Sequence, residues 1–146
     1  MTLIETLHAA KASRDFSAIV AAIPYARFLG LEVEEVDEGL LMKLPFSEKI
    51  VGNPTLPAIH GGVVGAFLEN VAIFQLFWTQ EKIRLPKTIT VTIDYLRSAG
   101  PATTCAMATV TKLGARVANV KAYAWQDDRA RPVAGINANF LITPAE

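Results

Sequence analysis

From Ile50 to Gln80 only Glu69 carries a formal charge. It sits in the run HGGVVGAFLENVAIFQLFW, which otherwise has the composition of a buried helix. A carboxylate taken out of water costs several kcal/mol unless it is paired or solvated. The fold must therefore wrap a long apolar helix and still justify one acid in its middle. An ordinary helix-face Glu that reaches solvent or meets an Arg satisfies this requirement, and so does a carboxylate with a chemical task.

Gly61 to Thr79 is long enough to cross a bilayer, but Glu69 would then stand near the midplane at a cost of about 2.5–3.5 kcal/mol. Asn70 and Gln75 would add to that cost, and the segments that follow alternate like strands. A helix enclosed by protein fits better, so no membrane is expected as a partner. A helix apolar nearly all round needs cover on most sides. One antiparallel sheet curling around it covers part; a second protomer that extends the sheet covers more. A homodimer follows as an expectation from the pattern itself.

The chain has 146 residues and 15.8 kDa, enough for one well-cored domain. Fourteen basic side chains balance fourteen acidic ones, so no nucleic-acid partner is expected. The single Cys105 excludes an internal disulfide, and two scattered histidines offer no metal-ligand spacing. Glu5, Lys11, Arg14 and Asp15 interrupt the start of the chain, which does not read as a signal peptide. These features fit a reducing, cytoplasmic setting.

Residues 2–22 carry apolar positions at helical spacing and predict one or two helices leading into Pro24. Residues 1–26 are read as an N-terminal helical segment and 27–146 as the main domain. Leu31–Val36 and Leu40–Phe46 flank Asp37-Glu38-Gly39, the signature of a hairpin. A loop with Gly52, Asn53, Pro54 and Pro57 leads to the helix, its prolines breaking any regular element. Beyond the helix, Pro86 is expected to end the connection before a strand with Ile89, Val91, Ile93 and Tyr95 on one face. Strands over Thr103–Leu113, Arg116–Gln126 and Val133–Ile142 follow, giving a hairpin, a helix and a four-stranded meander. The class is α+β.

Gly61 and Gly62 stand at the start of the long helix. Backbone N–H groups there lack intrahelical partners and carry the positive end of the macrodipole. Without a Cβ in the way, a ligand oxygen can approach them, as an oxyanion hole requires. Close packing against a strand would select the same glycines. Glu69 lies about 12 Å farther along the axis, at about 1.5 Å per residue. If both act on one carbonyl, they must come from two antiparallel helices, one per subunit.

HGGVVGAFLEN resembles the HGG-containing helix of the PaaI-like acyl-CoA thioesterases of the hotdog fold, in which an acidic residue follows the His by nine positions. Glu69 matches that spacing from His60. TITVTIDYLRSAGP is similar to the family's strand ending in an Asp/Asn-aromatic-Leu-Arg sequence. The resemblance covers roughly residues 28–142. It implies a curled sheet around a central helix, an acyl-CoA substrate, no cofactor, and a homodimer or dimer of dimers. It further implies Glu69 as general base or nucleophile and Gly61 as the donor that polarises the thioester carbonyl. Asn53 would help hold that carbonyl or water, although it lies seven residues before His60 where many relatives have six. Thr88 falls where some relatives orient the attacking water with a hydroxyl. Many relatives have Asp in place of Glu69.

His60 lacks an evident nucleophile or second ligand and reads as a positioning residue beside Gly62 and the substrate. Arg97, Lys112 and Arg116 flank strand ends, where they can meet coenzyme A phosphates or simply be solvated. Asp94 reads as structural, with Arg97 as a partner, and Cys105 as a buried thiol. Phe67, Phe74, Phe77 and Trp78 read as core and dimer contacts. Two other functions stay open: a non-catalytic acyl-CoA binding or sensing module, and a hydratase, for which His60 lacks an acidic partner in its own loop.

Overall fold

Thr2 opens the first helix with a capping box: its hydroxyl accepts from the Glu5 N–H, and the Glu5 carboxylate accepts from the Thr2 N–H. The computed structural model describes residues 1–144. Helix α1 runs Leu3–Ser13 and α2 runs Ser17–Ala22. Pro24 does not merely stop the helical segment. It occupies the first turn of a third helix, α3 (Pro24–Leu29), where its missing N–H has no cost. The boundary drawn after residue 26 thus falls inside α3. Leu7, Phe16, Ile19 and Ala26 join the same buried cluster as the main domain.

The expected hairpin is present as β1 (Glu32–Val36) and β2 (Gly39–Leu44), with Gly39 at φ 142° in the turn. The loop after it is more ordered than its prolines suggested. A 3₁₀ turn (Glu48–Ile50) leads into a small ladder of β3 (Val51–Asn53) and β4 (Ala58–Ile59). Helix α4 spans Gly61–Thr79, followed by β5 (Arg84–Tyr95), β6 (Thr104–Leu113), β7 (Val117–Trp125) and β8 (Ala134–Pro144).

Six strands form one antiparallel sheet in the order β1-β2-β6-β7-β8-β5. β6 to β8 form a meander, but β5 pairs with β8 at the far edge and never touches β6. That position explains Pro86. It lies inside β5, opposite Ile142, and an edge strand tolerates a residue without an N–H. A register shift between Thr88 and Thr90 also breaks the expected alternation. Ile89 is 54% exposed at this bulge, whereas Val91 and Ile93 pack against the core.

α4 lies across β2, β5, β6, β7 and β8, burying Phe67, Leu68, Phe74 and Leu76 completely. By length and composition it could cross a membrane, with a mean hydropathy of 1.3, but most of that window is covered by the protein itself. A long helix held on one six-stranded antiparallel sheet is the hotdog architecture.

Candidate active site

The first turn of α4 is organised by His60. Its Nδ1 accepts from the Gly62 N–H at 2.8 Å, making His60 the N-cap, and its carbonyl accepts from Val63 and Val64. The His60 N–H in turn donates to the Ile50 carbonyl at 2.8 Å, tying the helix start to the preceding loop. Gly62 therefore spends its N–H on the cap. The Gly61 N–H donates to no acceptor among the described residues.

A cavity of about 380 Å³ opens at this turn, lined by Gly61, Val64, Tyr95, Arg97, Ser98 and Val133 among others. Of the residues singled out in the sequence, it brings Gly61 and Arg97 together. Asn53 stands beside it, paired in the small ladder with Ala58, a lining residue. Its side-chain oxygen accepts from the Thr55 N–H at 3.0 Å in a local turn.

The other candidates lie elsewhere in the protomer. Glu69 is half-buried on α4 and forms no hydrogen bond or ion pair among the described residues. Thr88 is exposed on β5, about 23 Å along the strand from Tyr95 at about 3.3 Å per residue. Arg116 sits in the β6–β7 turn, where its carbonyl accepts from the Ile142 N–H. Since Ile142 pairs with Pro86, this turn lies at the opposite end of β5 from the cavity. Asp94 and Arg97 form no ion pair; those present among the described residues are Arg14–Glu35 and Arg129–Glu38. Cys105 is half-buried in β6. Phe67, Phe74 and Phe77 are core residues, while the indole of Trp78 donates to Glu35 Oε2 at 2.5 Å.

Sequence reading missed the close contact between α4 and β5. A Cβ on Gly65 would lie 2.6 Å from Ile93 Cδ1, and one on Gly61 would lie 3.3 Å from the Tyr95 ring. The strand thus packs against the glycine face of the helix. Gly61 and Gly65, one turn apart, and Ile93 and Tyr95, two residues apart, were the available signal. Gly61 thus meets the packing requirement, and it also lines the cavity.

A family model described as the thioesterase superfamily matches residues 56–133. No curated protein matches the chain. Among solved structures, a protein from Chromobacterium violaceum is 37% identical with a TM-score of 0.79, over 97% of this chain and 99% of that one. A phenylacetic acid degradation-related protein from Ralstonia eutropha JMP134 shares the fold at 24% identity and a TM-score of 0.76, over 90% and 98%. The BH2602 protein from Bacillus halodurans, solved with CoA, does so at 18% and 0.72, over 99% and 90%. The matched span covers more than half of the chain, and the long helix on its antiparallel sheet is the fold it implies: the chain belongs to the thioesterase superfamily.

Proposed function

We propose that the protein hydrolyses an acyl-CoA thioester to a free acid and CoA, at sites shared between two protomers. The observation that carries this reading is the division of the site within one chain. Gly61 and Arg97 line one cavity, whereas Glu69, Thr88 and Arg116 lie away from it. A two-fold axis regroups them. If Gly61 of one helix faces Glu69 of the other, the midpoint is Gly65. If Tyr95 of one β5 faces Thr88 of the other, the midpoint falls between Val91 and Thr92. Gly65 packs beside Ile93, within two residues of that point along β5, so the two requirements fall about 5 Å apart on the molecule. β5 is also an edge strand of twelve residues, with its outer side open to pairing. CoA as the carrier is supported by the CoA-bound Bacillus halodurans structure of the same fold.

In this dimer the thioester carbonyl accepts from the free Gly61 N–H, at the positive end of α4. The partner helix presents Glu69, which takes a proton from water as that water attacks the carbonyl carbon. The tetrahedral oxyanion collapses, the C–S bond breaks, and the thiolate of CoA leaves and is protonated. Direct attack by Glu69, through a mixed anhydride that water then opens, uses the same geometry. Thr88 and Asn53 would hold the water and the carbonyl, and Arg97 and Arg116 the phosphates. His60 acts by shaping the turn.

The test is thiol release from a panel of acyl-CoAs by wild type and Glu69→Gln. Turnover of some member by wild type, with a loss of about 100-fold or more in kcat for a folded Glu69→Gln dimer, is expected. Equal slow rates for the two proteins would remove Glu69 from the chemistry. Tight binding without turnover by either would make the protein an acyl-CoA binding module.

A further inference from the structure

We infer that Tyr95 is a positioning residue for this site, acting through the peptide unit that joins Gly61 to Gly62; the inference rests on the reading of Gly61 as the oxyanion donor. The Tyr95 hydroxyl donates to the Gly61 carbonyl oxygen at 2.7 Å. The N–H of the same peptide unit belongs to Gly62 and donates to His60 Nδ1 at 2.8 Å. One peptide plane is therefore gripped at both ends, by a strand side chain on its oxygen and by the helix cap on its nitrogen.

Three consequences follow. A donor on the oxygen makes the N–H of the same amide a stronger donor, so the two bonds reinforce each other. Because Nδ1 accepts, it carries no proton, and neutral His60 holds its proton on Nε2, where the exposed ring offers it outward. Peptide units are planar and joined by only two soft dihedrals, so fixing this plane restrains the one before it, which bears the Gly61 N–H. The hydroxyl of Tyr95 thus aims the oxyanion donor, and its ring walls the cavity at the point where a Cβ on Gly61 would lie 3.3 Å away. In the protomer Tyr95 remains 56% exposed, so burial alone does not immobilise the ring.

Tyr95→Phe keeps the ring and removes the hydrogen bond. It should stay folded and dimeric and lose roughly 3- to 10-fold in kcat, the weight of one ordinary hydrogen bond, with KM within about twofold of wild type. Nitrogen-15 spectra should show the Nε2–H tautomer of His60 in both proteins, with the Gly62 amide proton moved upfield in Tyr95→Phe as its bond to Nδ1 weakens. A kcat equal to wild type, or a loss confined to KM, would overturn the inference. If wild type hydrolyses no thioester at all, the catalytic reading fails on its own. The spectra then decide the hydrogen-bond chain, and a Gly62 amide shift unchanged in Tyr95→Phe refutes it.

Discussion

Single side chains do two different jobs along α4. Gln75 is a polar residue 4% exposed within the apolar helix, and its Oε1 accepts from the Leu40 N–H at 3.0 Å. The helix thereby closes the backbone of the β1–β2 hairpin, and Gly39 is needed beside it. A Cβ at Gly39 would lie 2.5 Å from the Gln75 amide, on a backbone whose φ of 142° already disfavours a side chain. Gln75→Leu should cost about 1–3 kcal/mol, because it leaves the buried Leu40 N–H without a partner. Urea unfolding measures it, and a variant as stable as wild type would show that the hydrogen bond carries no weight. Glu69 is the contrast. It has no hydrogen-bond or ion-pair partner among the described residues, so no stability role for it is visible there.

Among the elements, α4 is held at its start by His60 and at its end by α1. Lys11 Nζ donates to the carbonyls of Phe77 at 2.8 Å and of Trp78 at 3.4 Å, and also to that of Gln80. A cation there meets the negative end of the helix and satisfies carbonyls the helix cannot. Lys11→Met should cost about 1–2 kcal/mol in urea unfolding at neutral pH. Burial, helped by the Arg14 guanidinium and opposed by Glu81, holds the Lys11 ammonium below 10.5. The unfolded chain therefore binds more protons between that lowered value and 10.5. This titration adds stability above 10.5 and loses it as pH falls through the lowered value. The stability gap between wild type and Lys11→Met should widen as pH climbs toward 10.5, and a gap that stays level or shrinks would contradict the shift.

Local signals made α4 and the hairpin legible. Two glycines and a long, mostly apolar run mark the helix, and Asp37-Glu38-Gly39 marks the turn. What sequence could not show depends on partners distant in the chain. Pro86 stops a strand only if both of its edges are paired, and nothing local says that β5 lies outermost. Ile89 alternates correctly until the bulge opposite Phe140 and Asn139 shifts it outward. Tyr95 reads as one more apolar position because its hydroxyl partner, Gly61, lies across the fold. The same limit applies to the site. Candidates could be named from the HGG helix and the strand after it, but not which of them share a cavity in one chain.

At the scale of the whole molecule, the proposed mechanism has one protomer holding two halves of different sites. The cavity end offers Gly61 and Arg97, and the opposite end of β5 offers Thr88 and Arg116. Under that proposal, a two-fold dimer built on the open edge of β5, beside Gly65, would complete both sites. Complementation tests this most directly. Glu69→Gln and Gly61→Val should each be inactive as homodimers, the second because a branched side chain covers the free N–H and displaces the Tyr95 ring. Unfolded together and refolded as a mixture, they should form heterodimers in which one site carries both substitutions and the other carries neither. Thiol release should then return to about a quarter of the wild-type rate, since half of the dimers would be mixed and each would hold one intact site. If the mixture stays inactive although mixed dimers form, Glu69 and Gly61 act within one chain or not at all, and the composite site is wrong.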